Sequence, residues 1–104
     1  MQSIGYDGPE VVKVNTRGVS AFFKEKKGLK AIICAESEKE KYLRKSYNNL
    51  GAKGKISRTK VNIMTVYESK GLEFSSVVVI PQGMSNSEKY IAYTRALKDL
   101  AILD

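Results

Sequence analysis

The residues of this chain best suited to chemistry lie in two short runs in its carboxyl-terminal half. The first run, Val61–Phe74, reads VNIMTVYESKGLEF and places Lys70 and Gly71 in a turn after an apolar strand. Backbone N–H groups in such a turn, with a lysine beside them, can hold a phosphate, and glycine lets the backbone approach a ligand closely. Glu73 is placed to accept a hydrogen bond from a sugar hydroxyl. The alternative is an ordinary connection that carries an exposed lysine.

The second run, Tyr90–Ala96, reads YIAYTRA and predicts a helix that ends on Thr94 and Arg95. An arginine at this position can simply complement the negative end of the helix dipole. Its occurrence about twenty residues after the lysine–glycine turn favours a second interpretation, in which an anion-binding turn and a cationic side chain belong to one short α/β unit.

Strands and helices mostly alternate along the chain. The predicted strands are Val11–Val14, Lys30–Ala35, Val61–Val66, Val77–Ile80 and Leu100–Leu103. Most are continuously apolar rather than alternating, as expected when helices cover both faces of a sheet. The pattern predicts an α/β fold with a mainly parallel sheet and helices on both faces. Because ligands bind beyond the carboxyl ends of such strands, the 67–73 turn and the loop after Ile80 are expected at that edge.

Local signals predict where the helices begin. Thr16 can cap a helix that runs to about Lys27, and two capping boxes are predicted at Ser37–Glu40 and Ser85–Glu88. The helix after the first box would carry Leu43, Tyr47 and Leu50, and the helix after the second would carry Tyr90, Tyr93 and Leu97. A turn is predicted at Tyr6–Pro9, and Gly51–Thr59 is predicted to be a basic loop.

Composition narrows the class of protein. A length of 104 residues predicts a single domain spanning 1–104, and 18 basic against 11 acidic residues give a net charge of +7, which favours phosphate-bearing partners. The chain has no histidine and one cysteine, Cys34, so histidine-dependent zinc sites, serine triads and cysteine proteases are excluded. No metal site is predicted. Neither a membrane span nor a signal peptide is predicted, and a lone buried thiol fits the reducing cytoplasm.

The two runs resemble motifs V and VI of the UvrD/Rep-type superfamily 1 DNA helicases. Motif V usually has a threonine, a histidine or aromatic residue two positions later, and then Lys-Gly-Leu-Glu, which corresponds here to Thr65, Tyr67 and Lys70–Glu73. Motif VI is usually Tyr-Val-Ala-x-Thr-Arg-Ala, which corresponds to Tyr90–Ala96. The resemblance is specific over residues 61–104 and weaker over 1–60. It implies a RecA-like fold, that of a second motor domain of the P-loop NTPase type.

The resemblance also implies roles for individual residues. Arg95 would be the catalytic arginine that contacts the γ-phosphate of ATP, and the ATP-binding residues would be Lys70, Gly71, Glu73, Thr94 and Arg95. Single-stranded DNA, or RNA, would lie near Thr65, Tyr67 and Ser69. Two positions depart from the usual pattern, because Tyr67 stands where many relatives have histidine and Ser87 where a basic residue is frequent.

The chain lacks the G-x-x-x-x-G-K-[ST] loop and the acidic strand that hold nucleotide phosphates and Mg²⁺. The cofactor would be ATP with Mg²⁺, bound mainly by an N-terminal motor domain of the same parent chain. We therefore expect a C-terminal piece of a longer helicase that is inactive alone. Only the short stretch around Gly51–Lys60 separates the first half of the chain from motif V, where many relatives carry a large accessory subdomain, so that subdomain is expected to be absent or removed.

Two other interpretations remain open from the sequence. One is a non-catalytic module with the same fold that binds nucleic acid or protein, which suits the net charge and the basic stretch Lys53–Lys60. The other is a small receiver-type signalling domain, which shares the α/β alternation. A receiver domain requires an acidic cluster at the strand ends, and neither Val11–Val14 nor Lys30–Ala35 supplies one.

Overall fold

A computed structural model describes residues 11–24, 26–44 and 46–103. The strands in these ranges are β1 (Val11–Val14), β2 (Lys30–Cys34), β3 (Asn48–Asn49), β4 (Asn62–Thr65), β5 (Phe74–Ile80) and β6 (Ala96–Leu103). The helices are α1 (Gly18–Lys24), α2 (Glu36–Tyr42), α3 (Leu50–Lys53), α4 (Val66–Ser69) and α5 (Asn86–Tyr93). The turn predicted at Tyr6–Pro9 lies outside the described residues.

The six strands form one sheet in the order β1-β6-β5-β2-β4-β3, and every neighbouring pair is parallel. The central strand β2 pairs with β4 on one side and β5 on the other, so that Cys34 lies beside both Thr65 and Ile80. The carboxyl ends of these three strands are therefore level. We call this end of the sheet the carboxyl edge and the opposite end, where the strands begin, the amino edge. At the amino edge β5 extends beyond β4, since Ala31 is level with both Asn62, the first residue of β4, and Val77, the fourth of β5.

Helices cover both faces of the sheet, and each face has its own core. Alternate residues of β2 face opposite ways, so that Ala31 and Ile33 join the core under α3, α4 and α5, whereas Ile32 and Cys34 join the core under α1. Burial on both faces explains the continuously apolar strands. The predicted α/β fold with a parallel sheet and helices on both faces is confirmed.

The N-terminal caps of two helices, α1 and α2, differ from the sequence predictions. The prediction of a capping box at Ser37–Glu40 is wrong, because α2 begins at Glu36 and its N-cap residue, Ala35, makes no side-chain hydrogen bond. The chain enters this helix one residue after Cys34, the last paired residue of β2, and the buried Glu38 forms an ion pair with Lys41 at 3.3 Å. In α1 the cap contact comes from Asn15 rather than Thr16, since the Gly18 N–H donates to Asn15 Oδ1 at 2.8 Å.

Other elements are shorter or longer than predicted. Leu43 lies just beyond the end of α2 and Leu50 begins α3, so the predicted long second helix is two short ones separated by the edge strand β3. Leu97 belongs to β6 rather than to α5, because β6 starts at Ala96 to pair with Phe74 of β5. The capping box at Ser85 is confirmed, with reciprocal bonds between Ser85 and Glu88.

Candidate functional site

A one-turn helix, α4, follows β4 at the carboxyl edge of the sheet. Thr65 caps it: its hydroxyl accepts from the Glu68 N–H at 3.3 Å, and the Glu68 carboxylate accepts from the Thr65 N–H at 2.8 Å. This is a complete capping box. The Thr-x-x-Glu spacing was visible in the sequence and could have predicted the helix, which was instead expected to be a turn.

Tyr67 projects from α4 into solvent. Its side chain is 73% exposed, and the Lys70 Nζ lies 5.0 Å from the centroid of its ring. The ring borders a cavity of about 290 Å³ between the ends of β2 and β4 and the loop after β5, whose lining includes Glu36, Ser37 and Glu88. An exposed aromatic ring at such an edge is available to stack on a planar ligand.

The two other residues expected to meet DNA are placed differently from Tyr67. Ser69 is fully buried, and its hydroxyl donates to the Val66 carbonyl at 2.7 Å. The Ser69 side chain is therefore turned away from solvent and bonded within α4. Thr65 is 8% exposed and its hydroxyl is engaged in the helix cap.

Arg95 lies at the amino edge of the sheet, between α5 and β6. Its Nη1 donates to the Leu72 carbonyl at 3.2 Å, its Nε to the Ile91 carbonyl at 3.2 Å, and its Nη2 to the Thr94 hydroxyl at 3.3 Å. The Phe74 N–H in turn donates to the Arg95 carbonyl at 2.9 Å. The structure therefore brings the two runs singled out in the sequence into direct contact.

The charge of Arg95 is not neutralised within the described part of the chain. No carboxylate there lies within 4.0 Å of its guanidinium. An arginine side chain has five N–H donors, and the three bonds above leave two of them without a partner among the described residues. A guanidinium that is held in place, is not neutralised by a nearby carboxylate and has two unused N–H donors can bind a phosphate group through charge-assisted hydrogen bonds.

Lys70, Gly71 and Glu73 are exposed residues of the segment around Leu72, whose carbonyl Arg95 contacts. The Lys70 ammonium itself lies over the Tyr67 ring, 5.0 Å from its centroid. Gly71 has a φ of 81°, and no atom lies within 4 Å of the position a Cβ would take, so the turn is open to a ligand. Thr94 is fixed by donation of its hydroxyl to the Ile91 carbonyl at 2.9 Å. Gly71, Glu73 and Thr94 form the amino-edge cluster with Arg95, and Lys70 connects this cluster to Tyr67.

The structure corrects the expectation that the whole 67–73 segment lies at the carboxyl edge. Tyr67 does, but Lys70–Glu73 lead into the amino end of β5. From Phe74 to Ile80 the strand makes six steps, which at about 3.3 Å each separate the two edges by roughly 20 Å. The reason is that β4 and β5 are parallel, so the chain that leaves β4 at the carboxyl edge must cross back to the amino edge before β5 can begin.

Glu68 links α4 to α2 through an ion pair with Lys39 at 3.0 Å. Burial acts to raise the pKa of Glu68, but the hydrogen bond from the Thr65 N–H and the charge of Lys39 together outweigh it, so the pKa lies below its ordinary value. The folded state therefore favours the ionised carboxylate, and this position stabilises the fold only while Glu68 is charged.

We expect this stabilisation to disappear in acid. A lowered folded-state pKa gives a contribution that is complete above the unfolded value of 4.5 and is lost as the pH falls through the folded-state pKa. In urea unfolding, Glu68→Gln should cost about 1 kcal/mol at pH 7 and less at pH 3. Glu40→Gln, at an exposed position of α2, is the matched control and should cost little at either pH. A constant cost for Glu68→Gln across this range would contradict the assignment.

The remaining sequence predictions on chemistry concern Cys34 and metals. Cys34 is fully buried, and burial raises the pKa of its thiol to about 12, so it is not a nucleophile at neutral pH. Within the described ranges, no group of three metal-ligating residues occurs. In the same ranges, no helix is long and apolar enough to cross a membrane.

Comparison with known proteins supports the fold. The sequence matches no protein-family model and no curated protein. Among solved structures, it is similar to the C-terminal domain of a possible DNA helicase from Lactobacillus plantarum WCFS1, with a TM-score of 0.68 and 18% identity. The match covers 93% of this chain and 73% of that one. The six-stranded α/β fold of this chain is therefore similar to the fold of that domain and is consistent with a RecA-like arrangement.

Proposed function

We propose that this chain is the second motor domain of an ATP-dependent DNA helicase of the UvrD/Rep type. The observation that carries the proposal is the contact between Arg95 and the Leu72 carbonyl, which joins an arginine with free donors to an open glycine turn. The similarity of fold to the C-terminal domain of a possible DNA helicase is independent support.

In this proposal the amino-edge cluster forms half of an ATP site. The two free donors of Arg95 bind the γ-phosphate and stabilise the charge that develops during phosphoryl transfer. Glu73 accepts a hydrogen bond from the ribose, and Lys70 with the open backbone at Gly71 borders the nucleotide. The described residues include no acidic cluster for Mg²⁺, so the metal and most phosphate contacts belong to the N-terminal motor domain.

The carboxyl edge forms part of a single-stranded DNA track, with the Tyr67 ring stacking on a base. The one-turn helix α4 and the turn after it connect this edge to the amino-edge cluster. A change at the nucleotide can therefore reach the DNA contact through a few residues of continuous, hydrogen-bonded chain.

The test is DNA-stimulated ATP hydrolysis by the protein in which this chain adjoins a first motor domain with a phosphate-binding loop. Hydrolysis that requires both parts in one molecule supports the proposal. Full hydrolysis by the first domain alone, unchanged when this chain is added, would contradict it.

Replacing Tyr67 with alanine should weaken single-stranded DNA binding about tenfold, because stacking of one base on an aromatic ring contributes roughly 1–3 kcal/mol. Tyr67→Phe keeps the ring and should bind normally. Tyr90→Ala removes another half-exposed tyrosine, on α5, and is the matched control. Fluorescence anisotropy with a labelled oligothymidine measures the three affinities. Equal losses for Tyr67→Ala and Tyr90→Ala would rule out a specific stacking role.

A non-catalytic nucleic-acid-binding module is the second candidate, and it is favoured by the exposed cations Lys55, Arg58 and Lys60. The two candidates differ in their dependence on Arg95. A helicase motor loses ATP hydrolysis when Arg95 is replaced, whereas a binding module has no such activity and binds nucleic acid equally well without Arg95.

A further inference from the structure

A second cavity, of about 310 Å³, lies at the amino ends of β2 and β4, on the sheet face covered by α1. It is lined by Ser20, Phe23, Lys24, Lys30, Thr59 and Val61. Two lysines and two hydroxyls thus line the cavity, and none of the described lining residues carries a carboxylate. We call it the basic cavity. It lies on the opposite face of the sheet from α4 and α5, which carry Tyr67 and lead to Arg95.

The loop bordering the basic cavity is fixed to the sheet by a buried asparagine. The Asn62 carbonyl oxygen accepts from the Ser57 N–H at 2.7 Å, and the Asn62 amide donates to the Ser57 carbonyl at 3.0 Å. The Ser57 hydroxyl then accepts from the Lys60 N–H at 2.9 Å. Arg58 and Lys60, which flank Thr59, are therefore exposed on a braced loop at the cavity.

The charge at Tyr67 is different. Among the described residues, the cavity beside Tyr67 is lined by Glu36 and Glu88 and by no lysine or arginine, and one ammonium group, that of Lys70, lies 5.0 Å from the Tyr67 ring centroid. Two carboxylates beside one ammonium group attract the phosphates of a nucleic acid less than a surface of several cations does. The strongest phosphate contact of the described chain is thus expected away from the proposed base-stacking residue.

We propose that the basic cavity binds the phosphate backbone of a nucleic-acid strand. Lys24 and Lys30 line the cavity, and Arg58 and Lys60 are exposed on either side of the lining residue Thr59. The Ser20 and Thr59 hydroxyls supply donors of the kind that commonly bind phosphate oxygens. This second contact goes beyond the proposed function, because it requires neither ATP nor the Tyr67 ring.

The experiment measures the binding of a labelled 20-nucleotide oligothymidine to the whole chain by anisotropy over a range of NaCl concentrations. Lys30→Gln combined with Lys60→Gln should weaken binding about tenfold at low salt and lower the salt slope by about 1.4, since each single-strand phosphate contact contributes about 0.7. Lys24→Gln combined with Arg58→Gln should act similarly. Lys13→Gln combined with Arg17→Gln removes the same charge from β1 and the residues just before α1, and serves as the matched control.

Equal affinity and slope in the cavity variants and the control, with thermal midpoints unchanged, would overturn the proposal. It would also be overturned if the wild-type chain did not bind the oligonucleotide but bound an acidic protein through these lysines. A failure to detect ATP hydrolysis, or a Tyr67→Ala variant that binds DNA normally, would contradict only the proposed function. The cavity proposal is tested separately, because the salt slopes of the cavity variants are measured without ATP and with Tyr67 present.

Discussion

Replacing Arg95 with alanine is expected to lower the kcat of DNA-stimulated ATP hydrolysis by about 10³–10⁵-fold, in the protein that joins this chain to a first motor domain. The guanidinium is held by the Leu72 and Ile91 carbonyls and keeps two donors and an unneutralised charge for the γ-phosphate. These interactions strengthen as charge develops in the transition state, so the loss should appear in kcat more than in the KM for ATP.

Two further variants make this result specific to Arg95. Arg44→Ala removes an exposed arginine between α2 and β3 and should leave hydrolysis unchanged. Arg95→Lys keeps the charge but loses the fixed fork of donors, so it should restore only part of the rate. Thermal unfolding of each variant shows whether the fold survives. ATP hydrolysis near the wild-type rate in a folded Arg95→Ala variant would remove the catalytic assignment.

Replacing Asn62 with alanine should lower the free energy of unfolding by about 3 kcal/mol. The side chain is fully buried and makes four hydrogen bonds: it accepts from Asn48 and Ser57 and donates to the carbonyls of Lys30 and Ser57. Its removal leaves several buried groups without partners, each costing about 1–3 kcal/mol, although such costs do not add fully. Urea unfolding measures the change.

Asn49→Ala is the matched control for this stability effect. Among the described residues, the Asn49 side-chain oxygen is buried without a hydrogen-bond partner, so its removal should cost little. Because Asn62 braces the loop carrying Arg58 and Lys60, Asn62→Ala should also weaken oligothymidine binding. A stability loss no larger than that of Asn49→Ala would show that the bonds to Asn62 are not needed to hold the loop.

Much of the fold followed from local sequence signals. Continuous apolar runs such as Lys30–Ala35 predicted a parallel sheet buried on both faces, because a strand with one exposed face would alternate with polar residues. The Ser85 capping box predicted the start of α5, since its bonds lie within one helical turn. The contact between the two runs also followed from the sequence, through their expected place in one α/β unit.

The tertiary structure alone decided which edge of the sheet each residue occupies. The sequence predicted Tyr67 and Glu73 in one turn at one edge, but strand register places them at opposite edges, because β5 begins well before the level of β4. Register also pairs Asn62 with a loop that no local pattern assigns to it. The basic cavity has the same origin, since Lys24, Lys30 and Thr59 are brought together only by the packing of α1 and a braced loop against the sheet.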